Sequence, residues 1–267
     1  MQSCYGYRVY FVLPKIKMHF AMKIGSSVER LTEIDSTNNY AAKQLLTNRL
    51  PEGAVFVTDC QTVGRGQVNN YWESEPGQNL TFSFVCYPEY LRIDRQFEIS
   101  KAVSLGVKNF LSRYVAGVSI KWPNDIYIGD KKVAGILIEN AIRNGKLSNC
   151  IVGIGLNINQ LAFVSDAPNP ISLRQATGIC YDLQEMLALL LAEIDQWYQL
   201  LKHGNQMAID EAYTDSLYRL GQRANYKDEQ GPFTGRISGV DAIGRLCIET
   251  ESGKSMIFHF KEVAFLP

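Results

Sequence analysis

The sequence predicts an α+β fold in which a large sheet-and-helix domain carries a small β-barrel at its C-terminal end. Three observations predict it. Short apolar strands bounded by turn residues recur between residues 54 and 154. Two stretches, 93–114 and 183–201, carry helical periodicity. Beyond Gly221 the texture changes to short strands separated by glycine-bearing turns. A length of 267 residues suits one large domain with an appendage, and 46% hydrophobic with 20% charged residues is the composition of a globular protein with a substantial core.

The elements follow in order. Residues 1–28 read as an N-terminal extension: YGYRVYFVLPKIKMHF has an apolar patch, but Arg8 and Pro14 interrupt it and no small-residue cleavage site follows, so no signal peptide is expected. Met18 and Met22 are alternative starts, and translation from either leaves that extension outside the working protein. Asp35-Ser36-Thr37-Asn38 offers side-chain caps to a helix carrying Tyr40, Ala41, Leu45 and Leu46. Pro51-Glu52-Gly53 ends it, and Ala54 to Thr58 is a buried strand leading to Gln61. From Asn79 to Tyr87, Leu80, Phe82, Phe84 and Cys86 alternate with Thr81, Ser83 and Val85 in a second strand. Ile93 to about Tyr114 is a long helix packed on that sheet. Ile126 to Ile128, a Gly129-Asp130 turn and Val133 to Glu139 form a hairpin, and Arg143-Asn144-Gly145 turns the chain into Cys150 to Ile154. Leu183 to Leu201 and Ala208 to Leu220 are helical. Arg223 to Tyr226, Phe233 to Ile237, Arg245 to Ile248 and Ser255 to Phe260 are the barrel strands. The division is therefore 1–28, 29–220 and 221–267.

Composition removes several classes of function. Twenty-seven basic and twenty-seven acidic residues cancel, so no global field recruits nucleic acid or an anionic membrane. The six cysteines, Cys4, Cys60, Cys86, Cys150, Cys180 and Cys247, are scattered without C-x-x-C pairs or metal-ligand histidines, which fits reduced thiols in a cytoplasmic protein. His19, His203 and His259 are isolated, and His203-Gly204 reads as a helix end with its glycine cap. No apolar run approaches the ~20 residues of a membrane span. The Walker pattern fails at Ile248 before Ser252-Gly253-Lys254-Ser255, and Gly153-Ile154-Gly155 lacks the third glycine of a dinucleotide loop.

What remains is a set of polar motifs. In TVGRGQVNNYW, Thr62 to Trp72, Gly64 and Gly66 let the backbone approach a ligand while Arg65 offers a positive fork suited to an oxyanion; an isolated G-R-G also recurs by chance in solvated loops. In KWPND, Lys121 to Asp125, proline fixes a rigid corner from which Asn124 and Asp125 emerge, as site walls or as plain turn residues. Lys132 taken alone is a surface lysine, yet it stands where a charge enters a wholly apolar run, Val133 to Ile138. GIGLNIN, Gly153 to Asn159, ends a buried strand with Asn157, which binds a ligand or caps a turn.

Four segments in this order, DSTN, QTVGRGQVNNYW, KWPNDIYIGDKKVAGILIE and GIGLNIN, resemble those of the biotin protein ligase family. The resemblance runs from about Thr32 to the C-terminus. It implies a mixed β-sheet flanked by helices, of the class II synthetase and biotin ligase type, in 29–220, and an SH3-like barrel in 221–267. It also implies activation of biotin by ATP to biotinyl-5'-adenylate, then transfer to a lysine of a biotin carboxyl carrier domain of a biotin-dependent carboxylase. By this resemblance Ser36, Thr37, Asn38 and Gln61 hold the ureido head of biotin, groups that suit a neutral ring which both donates and accepts. Gly135 leaves room for the tail, and Gly66 and Gln67 belong to the same loop contacts. Lys132 is the catalytic cation between biotin carboxylate and α-phosphate, with Arg65 adding positive potential to both substrates. Asp125 helps place Mg2+. Trp72 stacks on adenine, and Asn124 and Asn157 contact the nucleotide. The 62–72 segment reads as a mobile lid.

Two departures stand out. Where many relatives read G-R-G-R, Gln67 gives a neutral side chain. Only 34 residues precede the Asp35 cap, too few for a DNA-binding domain, so no operator binding is expected. Exposed sheet edges leave room for a homodimer. The competing readings are a lipoyl or octanoyl transferase, against which KWPND and the G-R-G-x loop speak, and a non-enzymatic biotin sensor, against which Lys132, Arg65 and Asp125 speak.

Overall fold

The structure, a computed structural model, describes residues 22–67, 70–164 and 169–267. The apolar patch, Arg8, Pro14 and Met18 of the N-terminal segment lie outside these residues. The reading of 1–28 as an extension is corrected at its end. Ile24 is fully buried in the core, and the backbone amides of Lys23 and Ile24 both donate to Asp195 Oδ1, at 3.1 and 3.0 Å.

A mixed seven-stranded sheet has the order β1-β2-β3-β7-β6-β5-β4. Its strands are β1 (Val28–Ile34), β2 (Val55–Gln61), β3 (Leu80–Cys86), β4 (Val118–Lys121), β5 (Asp125–Ile128), β6 (Lys131–Arg143) and β7 (Lys146–Leu156). Only β1 and β2 run parallel. The central β6–β7 hairpin closes through Asn144 and Gly145, both at positive φ (52° and 71°), the backbone that an Asn-Gly pair adopts in a tight hairpin turn. β1 escaped the sequence reading because VERLTEI puts charged or polar residues on both faces of an exposed edge.

Strand alternation separates the two faces of this sheet. Leu80, Phe82, Phe84 and Cys86 of β3 and Cys150, Val152, Ile154 and Leu156 of β7 join the main core. That core includes α2 (Phe97–Leu111) and α4 (Leu183–Lys202). These helices pack so closely that a Cβ on Gly106 would lie 2.6 Å from Ile194 Cα. On the other face α1 (Thr37–Thr47) covers only one corner, where Ala41 meets Phe56, Val85 and Ile151. Most of that face is left for a site.

Several local expectations change. The helix expected over 93–114 is a 3-10 turn, Ile93–Arg95, followed by the shorter α2, at whose end the Ser112 hydroxyl bonds back to the Lys108 carbonyl. α5 (Gln206–Asp215) stops short of Leu220, and a short α3 (Leu173–Thr177) carries a Ser172–Gln175 capping box. Leu46 is 86% exposed rather than part of the buried face. Ser36 precedes α1 without a side-chain cap bond; instead the Thr37 amide donates to Gln61 Oε1 at 2.8 Å.

The C-terminal sheet is antiparallel, with order β11-β10-β9-β8-β12. Its strands are β8 (Arg223–Asp228), β9 (Gly231–Val240), β10 (Leu246–Thr250), β11 (Ser255–Phe258) and β12 (Ala264–Phe265). It docks behind the KWPND corner, where Trp122 Nε1 donates to the Gly244 carbonyl at 2.8 Å. Gly244, at φ +94°, passes so close to Phe97 that a Cβ would lie 2.4 Å from the ring. β12 then carries Phe265 to the edge of the open sheet face.

Candidate active site

The open face of the sheet is small and polar because of which residues fall in register. Thr81 pairs with Gly155, Gly155 with Gly135, and Gly135 with Asp125, giving one row across β3, β7, β6 and β5. The next row is Ser83, Gly153 and Leu137. Two glycines side by side make a shelf where side chains would otherwise stand. Above it lies a cavity of ≈ 370 Å³ lined by residues of the sheet, the 61–72 loop, the KWPND corner and the barrel's 260–265 segment.

One end of the cavity is a hydrogen-bonded polar floor. Gln61 Oε1 accepts from the Thr37 amide at 2.8 Å and from its hydroxyl at 3.2 Å, so the Gln61 amide group is fixed. The Ser83 hydroxyl lies 2.6 Å from both Thr37 Oγ1 and Asn38 Oδ1. Asn38 Nδ2 donates to Glu139 Oε2 at 2.7 Å, and Asn38 rests over Gly153, where a Cβ would come within 2.2 Å of its Oδ1. Ser36, Thr37 and Asn38 are almost fully buried. The sequence reading missed Ser83, though its signal was present: it sits on the small-polar face of an alternating strand, in register with a glycine.

The two described arms of the 62–72 loop, 62–67 and 70–72, lie against each other. Arg65 bridges Tyr71, the Gly66 amide donates to the Asn70 carbonyl at 2.7 Å, and the Trp72 amide donates to the Gly64 carbonyl at 3.1 Å. Gly64 is required there, since a Cβ would lie 2.3 Å from the Trp72 carbonyl oxygen. The Gly66 amide is therefore used within the loop rather than offered to an anion. Arg65 is likewise engaged: Nη2 lies 2.8 Å from Glu139 Oε1, and Nη1 donates to Asn39 Oδ1 at 2.7 Å. One carboxylate, Glu139, thus ties the loop arginine to the polar floor. Gln67 lines the cavity, with its Oε1 buried and unpartnered among the described residues.

Trp72 lies flat in the middle. Its ring fills the shelf so completely that a Cβ on Gly155 would stand 2.2 Å from Cε2, and one on Gly135 3.2 Å from Cζ3. Lys132 Nζ is 5.8 Å from the indole centroid. The ring lies in the cavity's mid-section, in the slot that the paired glycines leave.

At the far end Lys132 Nζ is 2.7 Å from Asp125 Oδ1, across the β5–β6 hairpin. The Lys132 backbone is held on its outer side as well, its amide donating to the Asn169 carbonyl and its carbonyl accepting from the Ile171 amide, both at 2.9 Å. Asn124 is stitched to β6 through Ile136: its Nδ2 donates to the Ile136 carbonyl at 2.8 Å and its carbonyl accepts from the Ile136 amide at 3.0 Å. The Trp122–Pro123 peptide bond is cis. Asn157 does not line the cavity; it is buried below it, its amide donating to the Val133 carbonyl at 2.9 Å and its Nδ2 to the Ile171 carbonyl at 3.2 Å. The structure brings the remaining sequence-predicted residues together around one cavity. It also adds Lys121, Thr81, Phe260, Lys261 and Phe265, which sequence reading did not place there.

Comparison with known proteins identifies this arrangement. Residues 31–157 match the Biotin/lipoate A/B protein ligase family, and residues 220–263 match the Biotin protein ligase C terminal domain. The bifunctional ligase/repressor BirA of Bacillus spizizenii is 30% identical over 233 residues, covering 85% of this chain and 70% of that protein. The chain belongs to the biotin protein ligase family. Another relative in the family is the biotin--[acetyl-CoA-carboxylase] ligase of Paracoccus denitrificans, 28% identical over 234 residues and covered to 96% of its length. The biotin protein ligase of Aquifex aeolicus in complex with biotin and ATP superposes with a TM-score of 0.74 at 28% identity, covering 90% of this chain and 98% of that one. The C-terminal antiparallel sheet accordingly has the SH3-like form of the family's C-terminal domain.

Proposed function

We propose that this protein joins biotin to ATP, releasing pyrophosphate, and passes the biotinyl group of the resulting adenylate to a lysine of a carboxylase's carrier domain. The carrying observation is the order of groups along one cavity: a hydrogen-bonded polar floor, a glycine-and-tryptophan mid-section and a Lys132–Asp125 pair. The ureido ring, with two N–H donors and a carbonyl acceptor, suits the floor, where Asn38, Thr37, Ser83 and the Gln61 amide are already fixed by one another. An octanoyl or lipoyl tail has no donor or acceptor to match that floor and would only desolvate it.

The valeryl chain runs along the mid-section past the Trp72 ring that covers the Gly135–Gly155 shelf, which brings its carboxylate to Lys132. There two anions, the carboxylate and the α-phosphate of ATP, must approach each other, and the ammonium between them lowers the repulsion that would otherwise dominate in a cavity partly shielded from water. Asp125 holds Lys132 in place through their ion pair. Asp125, the sole carboxylate lining this cavity among the described residues, is the residue that would hold a magnesium ion together with substrate phosphates, and the ion would supply positive charge against those phosphates.

Incubation of the purified protein with ATP, magnesium and either biotin or octanoate, followed by mass spectrometry, tests this reading. Biotinyl-5'-adenylate should form with biotin alone. An adduct with octanoate and none with biotin would overturn it.

Glu139 supports the floor and the loop together, so Glu139→Gln should weaken biotin binding. The Arg65 pair is about one-third exposed, and such pairs are worth only ~0.2–1 kcal/mol. With a weaker bond to Asn38 added, the expected loss is about three- to tenfold in biotin affinity, read by calorimetry. Unchanged affinity would show that the clasp does not act on the biotin end.

Gln67 replaces a charge with a neutral amide in the loop over the adenylate. Gln67→Arg is expected to slow release of biotinyl-5'-adenylate in the absence of acceptor, by roughly tenfold for one added charge-assisted hydrogen bond. Trapping released adenylate over time measures it. A release rate equal to that of the parent protein would dismiss the idea.

A further inference from the structure

Four cationic side chains line the cavity: Arg65, Lys121, Lys132 and Lys261. Two are already neutralised, Arg65 by Glu139 at 2.8 Å and Lys132 by Asp125 at 2.7 Å. Lys261 is exposed on the barrel rim. Lys121 is different. It is half-buried and lacks a carboxylate partner within ion-pair distance among the described residues.

The surroundings of Lys121 hold its ammonium without cancelling its charge. Nζ donates to Tyr127 Oη at 3.0 Å and lies 4.8 Å from the Tyr127 ring and 5.0 Å from the ring of Phe265 on β12. Burial pushes the Tyr127 phenol above its ordinary range, so it accepts this bond as a neutral group. Burial also pulls the Lys121 ammonium below the usual lysine range; Asp125 opposes that shift, while Lys132 and Arg219 add to it. A cation partly withdrawn from water and faced by π-clouds gains more from an incoming anion than a fully hydrated one does.

Its position says which anion. Lys121 pairs in register with Asp125 on the neighbouring strand, so it stands beside the Lys132–Asp125 pair, on the side away from β6 and towards β12. Biotin approaches Lys132 from the Trp72 side. The phosphates beyond the α-position must then extend the other way, over the KWPND corner. In adenylation an oxygen of the biotin carboxylate bonds to the α-phosphorus, the bond from that phosphorus to its bridging oxygen breaks, and the electron pair leaves on pyrophosphate. We propose that Lys121 is the cation that binds the β- and γ-phosphates of ATP and stabilises the pyrophosphate leaving group, in a pocket completed by Phe265 of the C-terminal barrel. The assignment rests on the adenylation reading above, and it gives the barrel a part in the first half-reaction.

Lys121→Met keeps the stem that packs on Tyr127 and Phe265 and removes the charge, whereas Lys121→Arg keeps the charge. Biotin-dependent exchange of labelled pyrophosphate into ATP reads the first step, and transfer to a carrier domain from supplied biotinyl-5'-adenylate reads the second. Lys121→Met should raise the KM for ATP and for pyrophosphate by about ten- to a hundredfold. Transfer from the supplied adenylate should suffer far less, and Lys121→Arg should recover most of the exchange. Exchange by Lys121→Met within twofold of the parent would overturn the assignment, as would equal losses in both reactions, the mark of a purely structural role. A parent protein that forms no biotinyl-5'-adenylate would fail at an earlier point and would overturn the function itself.

Discussion

Lys132→Ala should reduce single-turnover formation of biotinyl-5'-adenylate by about 10²–10³-fold, the usual loss when a transition-state charge stabiliser is removed. Two effects combine. The cation between the attacking carboxylate and the α-phosphate is gone, and Asp125, deprived of its partner at 2.7 Å, becomes an uncompensated negative charge beside the same two anions. Lys132→Ala combined with Asp125→Asn removes the stranded charge together with the carboxylate that would hold magnesium, so a double-mutant cycle gives the net coupling of the pair: a double variant faster than Lys132→Ala means that the stranded charge dominates, and a slower one that the magnesium role does. Adenylate formation by Lys132→Ala at near the parent rate would leave the protein a biotin-binding sensor.

The second large effect is expected at a residue with no side chain. Gly153→Ala places a methyl 2.2 Å from Asn38 Oδ1 and 3.0 Å from its Cγ. Asn38 has little room to retreat, being almost fully buried, with Ser83 and Glu139 holding its two polar atoms. Displacing it breaks the floor at the point where the ureido ring is expected, and loss of one or two hydrogen bonds to the ligand corresponds to roughly a 10- to 100-fold rise in the biotin dissociation constant. Overpacking should also lower stability by about 1–3 kcal/mol, so denaturant midpoints must accompany the calorimetry. A lower midpoint with unchanged biotin affinity would remove the Asn38 row from the ligand's contacts.

Much of the candidate site was legible in the primary structure. DSTN, GRG and KWPND are local constellations of glycine, proline and small polar side chains whose chemistry does not depend on distant partners, and Lys132 stood out as a charge entering an apolar run. The alternation on β3 was legible as well, and it correctly divides the helix-covered face from the open one. What could not be read was the pairing of charges. Glu139 looked like the end of a strand, yet it claims Arg65 from a loop 74 residues earlier. Lys121 read as the first letter of a turn motif, and its role emerges only when Phe265, from the last strand, is placed against it.

By itself the sequence determined most of the strands and helices, though not β1, β4, α3 or β12, together with the small-polar face of the sheet and the candidate reactive groups, because these follow from local periodicity and backbone geometry. The tertiary structure alone decided which glycines lie side by side, which cations are neutralised and which is left open, and how the barrel closes the far end of the cavity. Those are consequences of cross-strand register and of packing between segments as far apart as residues 121 and 265. Coulomb energy and desolvation depend on distance in space, on which position along the chain is silent.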